Sequence, residues 1–161
     1  MYNNLGAVYT KTGNHKKAGE FLKQSFDLRT QIDDKKGLAS TLINLGSLRI
    51  EENNILAAKS DLQKAVEISQ GIGAKMELMS AYNLLAIVHE KLSEFKQGLK
   101  YQRLYGAIKD SIFNEEKAKQ IELLQAQFET IKKEAEISFL KQDKEIQELS
   151  IAKQNLVIHN L

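Results

Sequence analysis

Proline, cysteine and tryptophan are absent from the 161 residues, and the last of the nine glycines is Gly106. Without cysteine there is no disulfide framework and no zinc–thiolate site. Without proline, and with no glycine beyond Gly106, nothing punctuates the backbone from Ala107 to Leu161, so the sequence predicts uninterrupted helix there. Charge of one sign is also scarce. The formal net charge is +2, and lysines and arginines are scattered singly or in pairs. That leaves no clustered basic face for nucleic acid or an anionic membrane. The apolar runs fall well short of the roughly 20 residues of a membrane span. Met1 leads straight into an apolar helical pattern, not into a signal peptide. What remains is an ordinary folded balance, 42% hydrophobic and 27% charged, with length for one compact domain. The chain reads as an excerpt of a longer protein.

A shift of 40 residues lays the sequence on itself. Leu5, Leu45 and Leu85 align, each followed by a small residue (Gly6, Gly46, Ala86). Ala18, Ala58 and Gly98 align, as do Leu28, Ile68 and Ile108, and Tyr2, Leu42 and Tyr82 share a large apolar position. Small residues on both helices of a unit let the two backbones approach, and large apolar residues fill the groove between them. Leu5, Leu45 and Leu85 should therefore be buried alike. Gly13, Asp34, Asn53 or Asn54, and Ser93 stand where turns or helix N-caps are needed. The predicted helices run over about 1–12, 15–32, 35–51, 55–70, 75–91 and 94–110.

The succession Tyr2, Leu5, Gly6, Tyr9, Gly13, Ala18 and Leu22 resembles the tetratricopeptide repeat. The resemblance covers residues 1–110 and implies an all-α fold, a superhelix of helical hairpins. Three units of about 40 residues (1–39, 40–79 and 80–113) are expected, followed by 114–161 as a capping helix extending into a signalling helix. The chain departs from the family in its longer repeats and missing proline. It also carries Arg49 and His89 where the first unit has Tyr9.

The 40-residue step carries Ala86 to Ala126, so Asn114 to about Phe128 is expected to dock on the third hairpin. A second pattern follows. Ile121, Leu124, Phe128, Ile131, Ala135, Phe139, Gln142, Ile146, Leu149, Lys153, Leu156 and Asn160 are spaced by alternating threes and fours, with one extra four around Ala135. This is a heptad seam with a stutter, the signature of a coiled coil. Its apolar members make it a candidate homodimer seam, and its polar members limit the pairing to low order. The segments Lys109-Asp110-Ser111, Asn114-Glu115-Glu116, Phe128-Glu129 and Lys132-Lys133-Glu134 resemble the stretch linking such repeats to a membrane helix in bacterial sensor histidine kinases, especially of Bacteroidetes. That resemblance implies a sensory region on the periplasmic side of the inner membrane, ahead of an output domain. A free-standing cytoplasmic adaptor and a peptide-responsive transcriptional regulator are the alternatives.

Chemistry-bearing constellations are missing. His15, His89 and His159 have no partner at metal-binding spacing, and His159 lacks the residues that follow a phosphoacceptor histidine. Gly71-Ile72-Gly73 lacks a third glycine or a lysine-serine and reads as a helix-ending turn, not a phosphate loop. No enzyme activity, cofactor or metal is expected of this fragment. What remains is the concave face that the tetratricopeptide resemblance assigns to peptides, with Asn3, Ala7, Ser40, Asn44, Ser47, Asn83 and Ile87 as candidates. The asparagines there either hold a peptide backbone through two-sided amide bonds or only satisfy local polar groups. Asn44 matches one residue of the chaperone-tail clamp of that family, but Asn3, Ala7, Ser80 and Leu84 do not match the rest, so a chaperone co-factor role is not expected.

Overall fold

The computed structural model describes the backbone of residues 1–159 and the side chains of residues 1–155. Six helices follow one another: α1 (Tyr2–Lys11), α2 (His15–Gln31), α3 (Lys35–Glu51), α4 (Ile55–Ile72), α5 (Lys75–Lys91) and α6 (Phe95–His159). There is no strand among the described residues. The chain divides into two compact units, Met1–Phe113 and Asn114–Leu161.

In the first unit the helices from α1 to α5 pack each on the next, and first helices also pack on one another, α1 on α3 and α3 on α5. The core depends on an exchange of one atom for a side chain. A Cβ on Gly6 would lie 2.5 Å from Leu22 Cγ, and one on Gly46 would lie 2.6 Å from Leu62 Cγ. Leu22 and Leu62 are fully buried, as are Ala18 and Ala58 beside them. The small residue of the first helix thus makes room for a leucine of the second, more than for its backbone. The third hairpin departs from this: Ala86 carries a Cβ, and the leucine's place belongs to the exposed Gln102. There Gly98 makes the approach, 3.5 Å from the Ala86 carbonyl oxygen to where its Cβ would be.

The aligned leucines are not buried alike. Leu85 is fully enclosed, clustered with Ala58, Leu62 and Val88 and covered by Tyr101. Leu5 and Leu45 are half-buried. Leu5 lies on α1, which among the described residues packs on α2 and α3, and Leu45 lines an open cleft.

Every connection turns on one residue with left-handed φ: Gly13 at 76°, Asp33 at 51°, Asn53 at 59°, Gly73 at 66° and Ser93 at 60°. These recur every twenty residues, half the sequence period. The Asn14 side chain caps α2 by accepting from Lys17 N at 3.2 Å, and Asp34 caps α3 by accepting from Gly37 N at 2.9 Å. That bond from Gly37, reinforced by Arg29, holds the Asp34 carboxyl below its usual range.

The next position in the cadence is Phe113. An aromatic side chain in the left-handed region costs roughly 1–2 kcal/mol, and at Phe113 the helix continues. The sixth helix therefore does not end near residue 110. It is one helix of 65 residues. The side chains of residues 114–155 are exposed throughout. Within that second unit Lys144 pairs with Glu148 at 3.8 Å, and Gln147 donates to Asp143 at 3.1 Å.

Two tests follow from glycine and its absence. Helix propensity favours alanine over glycine by about 1 kcal/mol, but overpacking a filled site costs about 1–3 kcal/mol. Gly46→Ala should therefore lose about 1–2 kcal/mol in urea denaturation. Gly106→Ala, whose Cβ would meet nothing within 4 Å, should gain about 0.5–1 kcal/mol. Shifts of the same sign would refute the packing account. At the turns, Ser93→Gly should raise the unfolding midpoint and Gly73→Ala should lower it, each by about 1 kcal/mol. A fall for Ser93→Gly would show that the serine side chain, not φ, governs that turn.

Candidate functional site

The groove candidates lie on α1, α3 and α5, and three of them bond to each other. Asn44 Nδ2 donates to Asn3 Oδ1 at 2.9 Å, and Asn3 Nδ2 donates to Ser40 Oγ at 3.1 Å. Asn3 is only 7% exposed. This chain of amides and hydroxyl joins the first helices of two hairpins. It does not recur one period on, where Leu84 stands in for Asn44 and Ser80 donates to its own helix at Met76 O. Ala7 and Ser47 are half-buried beside it, whereas Asn83 and Ile87 are exposed on α5. The sequence grouped all seven residues; the structure joins Asn3, Ser40 and Asn44 by hydrogen bonds.

A second arrangement is periodic. Tyr9 and Phe21 stack with ring centroids 5.5 Å apart, and one double period later His89 and Tyr101 stack at 5.2 Å. Between them, the same two positions are Arg49 and Asp61, with Arg49 Nε 2.6 Å from Asp61 Oδ2. Asp61 is 8% exposed. Burial pushes its carboxyl above the ordinary range, against the pull of Arg49 and Lys64. Beside this pair a cleft of about 540 Å³ opens among α2, α3 and α4. Its floor is Phe26, Leu42, Leu45 and Leu48, and its rim carries Lys23, Asp27, Glu52 and Lys64. The sequence reading missed this cleft. The signal was present in the departure of Arg49 from Tyr9, but its partner at position 61 was not aligned with Phe21 and Tyr101.

The histidines fall in three different settings. His15 is half-buried as the first residue of α2, and the side chain of His159 lies outside the described residues. His89 is buried, with Nδ1 2.5 Å from Glu94 Oε2, which also accepts from Lys59 Nζ at 2.9 Å. The Lys59 bond first, and His89 second, hold the Glu94 carboxyl below its usual range. Gly73 ends α4 in the left-handed conformation, as a turn, and Gly71 lies within the helix. Among the described residues no group of three side chains is placed to hold a metal ion, and no helix is long and apolar enough to cross a membrane.

Asn3→Ala should cost about 0.5–1.5 kcal/mol, because it leaves a half-buried donor on Asn44 and a half-buried acceptor on Ser40 without their partner. Asn83→Ala, on an exposed site, should stay within about 0.5 kcal/mol of the parent. Equal melting temperatures for both would mean that the amide chain contributes nothing to folding.

Residues 1–71, the stretch that holds the first two hairpins, match the family model of the tetratricopeptide repeat. No curated protein and no solved structure matches the chain.

Proposed function

We propose that the chain is a peptide- or protein-binding and dimerisation module, the sensory region of a membrane-bound bacterial signalling protein of the two-component histidine kinase kind. Tetratricopeptide repeats are in general protein-interaction folds with no catalytic role, which supports the binding part of this reading. The observation that carries the dimerisation is the apolar stripe of the second unit. Ile121, Leu124, Phe128, Ile131, Phe139, Ile146 and Leu149 are each between 54% and 71% exposed, and they keep heptad spacing along one helix. A single helix showing such a stripe to water is marginal. A second copy buries it with the fewest assumptions, giving a symmetric pair.

Within the stripe Ala135, Gln142 and Lys153 are exposed as the seam requires, while the side chains of Leu156 and Asn160 lie outside the described residues. Gln142 and Lys153 on the seam weaken the pairing and hold it to low order. In this reading the groove of α1, α3 and α5 receives a peptide, the long helix carries the change toward an output domain, and the membrane helix belongs to the sequence after Leu161. The kinase part rests on the resemblance of residues 109–134 alone. About 20 apolar residues following Leu161 in the native protein would support it; a stop codon or a helix-turn-helix there would replace it with an adaptor or a regulator.

Light scattering tests the assembly. The chain should be a dimer at tens of micromolar. Leu124→Glu with Ile131→Glu, both on exposed sites, should make it a monomer without lowering its helix content per residue in the repeats. A monomeric parent chain defeats the proposal.

A further inference from the structure

The column of pairs Tyr9–Phe21, Arg49–Asp61 and His89–Tyr101 holds two ring stacks and, between them, one ion pair. The cleft lies at that exception. One period later the place corresponding to it is filled. Tyr101 stacks on His89 and stands 5.9 Å from Tyr82, and Lys59 reaches across to Glu94. In the cleft the matching residues are Asp61, Arg49, Leu42 and Gly19. The ring is missing, and so is the long side chain of the second helix. A Cβ on Gly19 would meet only Leu48 Cδ2, at 3.8 Å, so the wall there is open space.

The molecule itself thus shows what fits. We infer that the cleft is a binding site for a tyrosine side chain carried by a partner peptide, whose ring takes the place beside Arg49 that Tyr101 takes beside His89. The Arg49 guanidinium offers a flat cation to the negative face of a ring. The leucine floor takes its edge and body. The phenol hydroxyl donates to the Asp61 carboxylate, which can only accept while ionised. Around the rim Lys23 and Lys64 balance Asp27 and Glu52, so the cleft asks for a neutral group, and a phosphorylated tyrosine is repelled by Asp61. An aliphatic side chain fills the same volume and leaves the polar wall unanswered. This site lies among α2, α3 and α4, so it needs neither the groove of α1, α3 and α5 nor a dimer.

The experiment follows leucine methyl resonances of the full chain while N-acetyl-tyrosinamide is added at millimolar concentration. Leu42, Leu45 and Leu48 should shift saturably, and N-acetyl-leucinamide should bind at least several-fold more weakly. Gly19→Phe, which fills the cleft from its open wall, should abolish the response. Arg49→His combined with Asp61→Tyr, which rebuilds the ring pair, should do the same while leaving the helical circular dichroism intact. If that double variant does not fold, Gly19→Phe alone decides. No shift in the parent, an equal response to the leucine probe, or an undiminished response in the Gly19→Phe variant would each overturn the proposal.

Discussion

The distance between the two helices of a hairpin is set by one contact, repeated: a leucine side chain resting on a helix that lacks a Cβ at Gly6 and again at Gly46. Leu22 and Leu62 are buried completely by that arrangement. Burial of a leucine side chain is worth roughly 1.5–3 kcal/mol, more than the roughly 1 kcal/mol that a glycine costs inside a helix. The exchange therefore favours the hairpin. Its geometry then fixes where every other residue of the two helices meets its partner, including the column of pairs above it. The third hairpin keeps a close approach by moving the glycine to the second helix, at Gly98, and there the leucine is no longer needed.

The turns impose a second constraint. A left-handed residue every twenty positions reverses the chain five times, and the stack grows only while that cadence is kept. Glycine, asparagine and aspartate tolerate this conformation for different reasons, lack of a Cβ in one case and local hydrogen bonding by a short polar side chain in the others. Their chemical variety is why the twenty-residue rhythm is hard to read as a pattern. Phe113 breaks it. With neither proline nor glycine downstream of Gly106 to stop the helix, the backbone bonds of α6 propagate, and a repeat element becomes a long helix.

Much of this was legible in the sequence. The 40-residue period, the all-α hairpins, the Asp34 cap and the beginnings of α2 to α5 follow from residue spacing, because helix packing demands side chains of given size at fixed intervals. The end of the sixth helix was misplaced for the opposite reason. The repeat was extrapolated through position 113, where the deciding quantity was a backbone angle and not a side-chain size. The groove asparagines were legible as polar residues on one face, but not as each other's partners, since a period of 40 says nothing about bonds such as Asn3–Asn44 that cross it by 41 positions. Leu45 looked equivalent to Leu85 because its own position repeats; its exposure is decided by Asp61 and Gly19, which lie on other helices.

The ion pair in the middle of the ring column is difficult to justify by folding alone. Removing a carboxylate from water costs several kcal/mol before any attraction is counted, and apolar replacements of buried pairs are often neutral or stabilising; the Asp61 side chain is 12% exposed, while Arg49 keeps 35%. Here the replacement is present twice in the same chain, as Tyr9–Phe21 and His89–Tyr101. The Asp61 carboxyl is also displaced toward its protonated form by burial. Two rings at this place would close the cleft and relieve that cost. A chain that holds charge where its own neighbours hold rings keeps a polar, partly filled surface over three leucines, and that combination has a physical use in recognition that it lacks in packing.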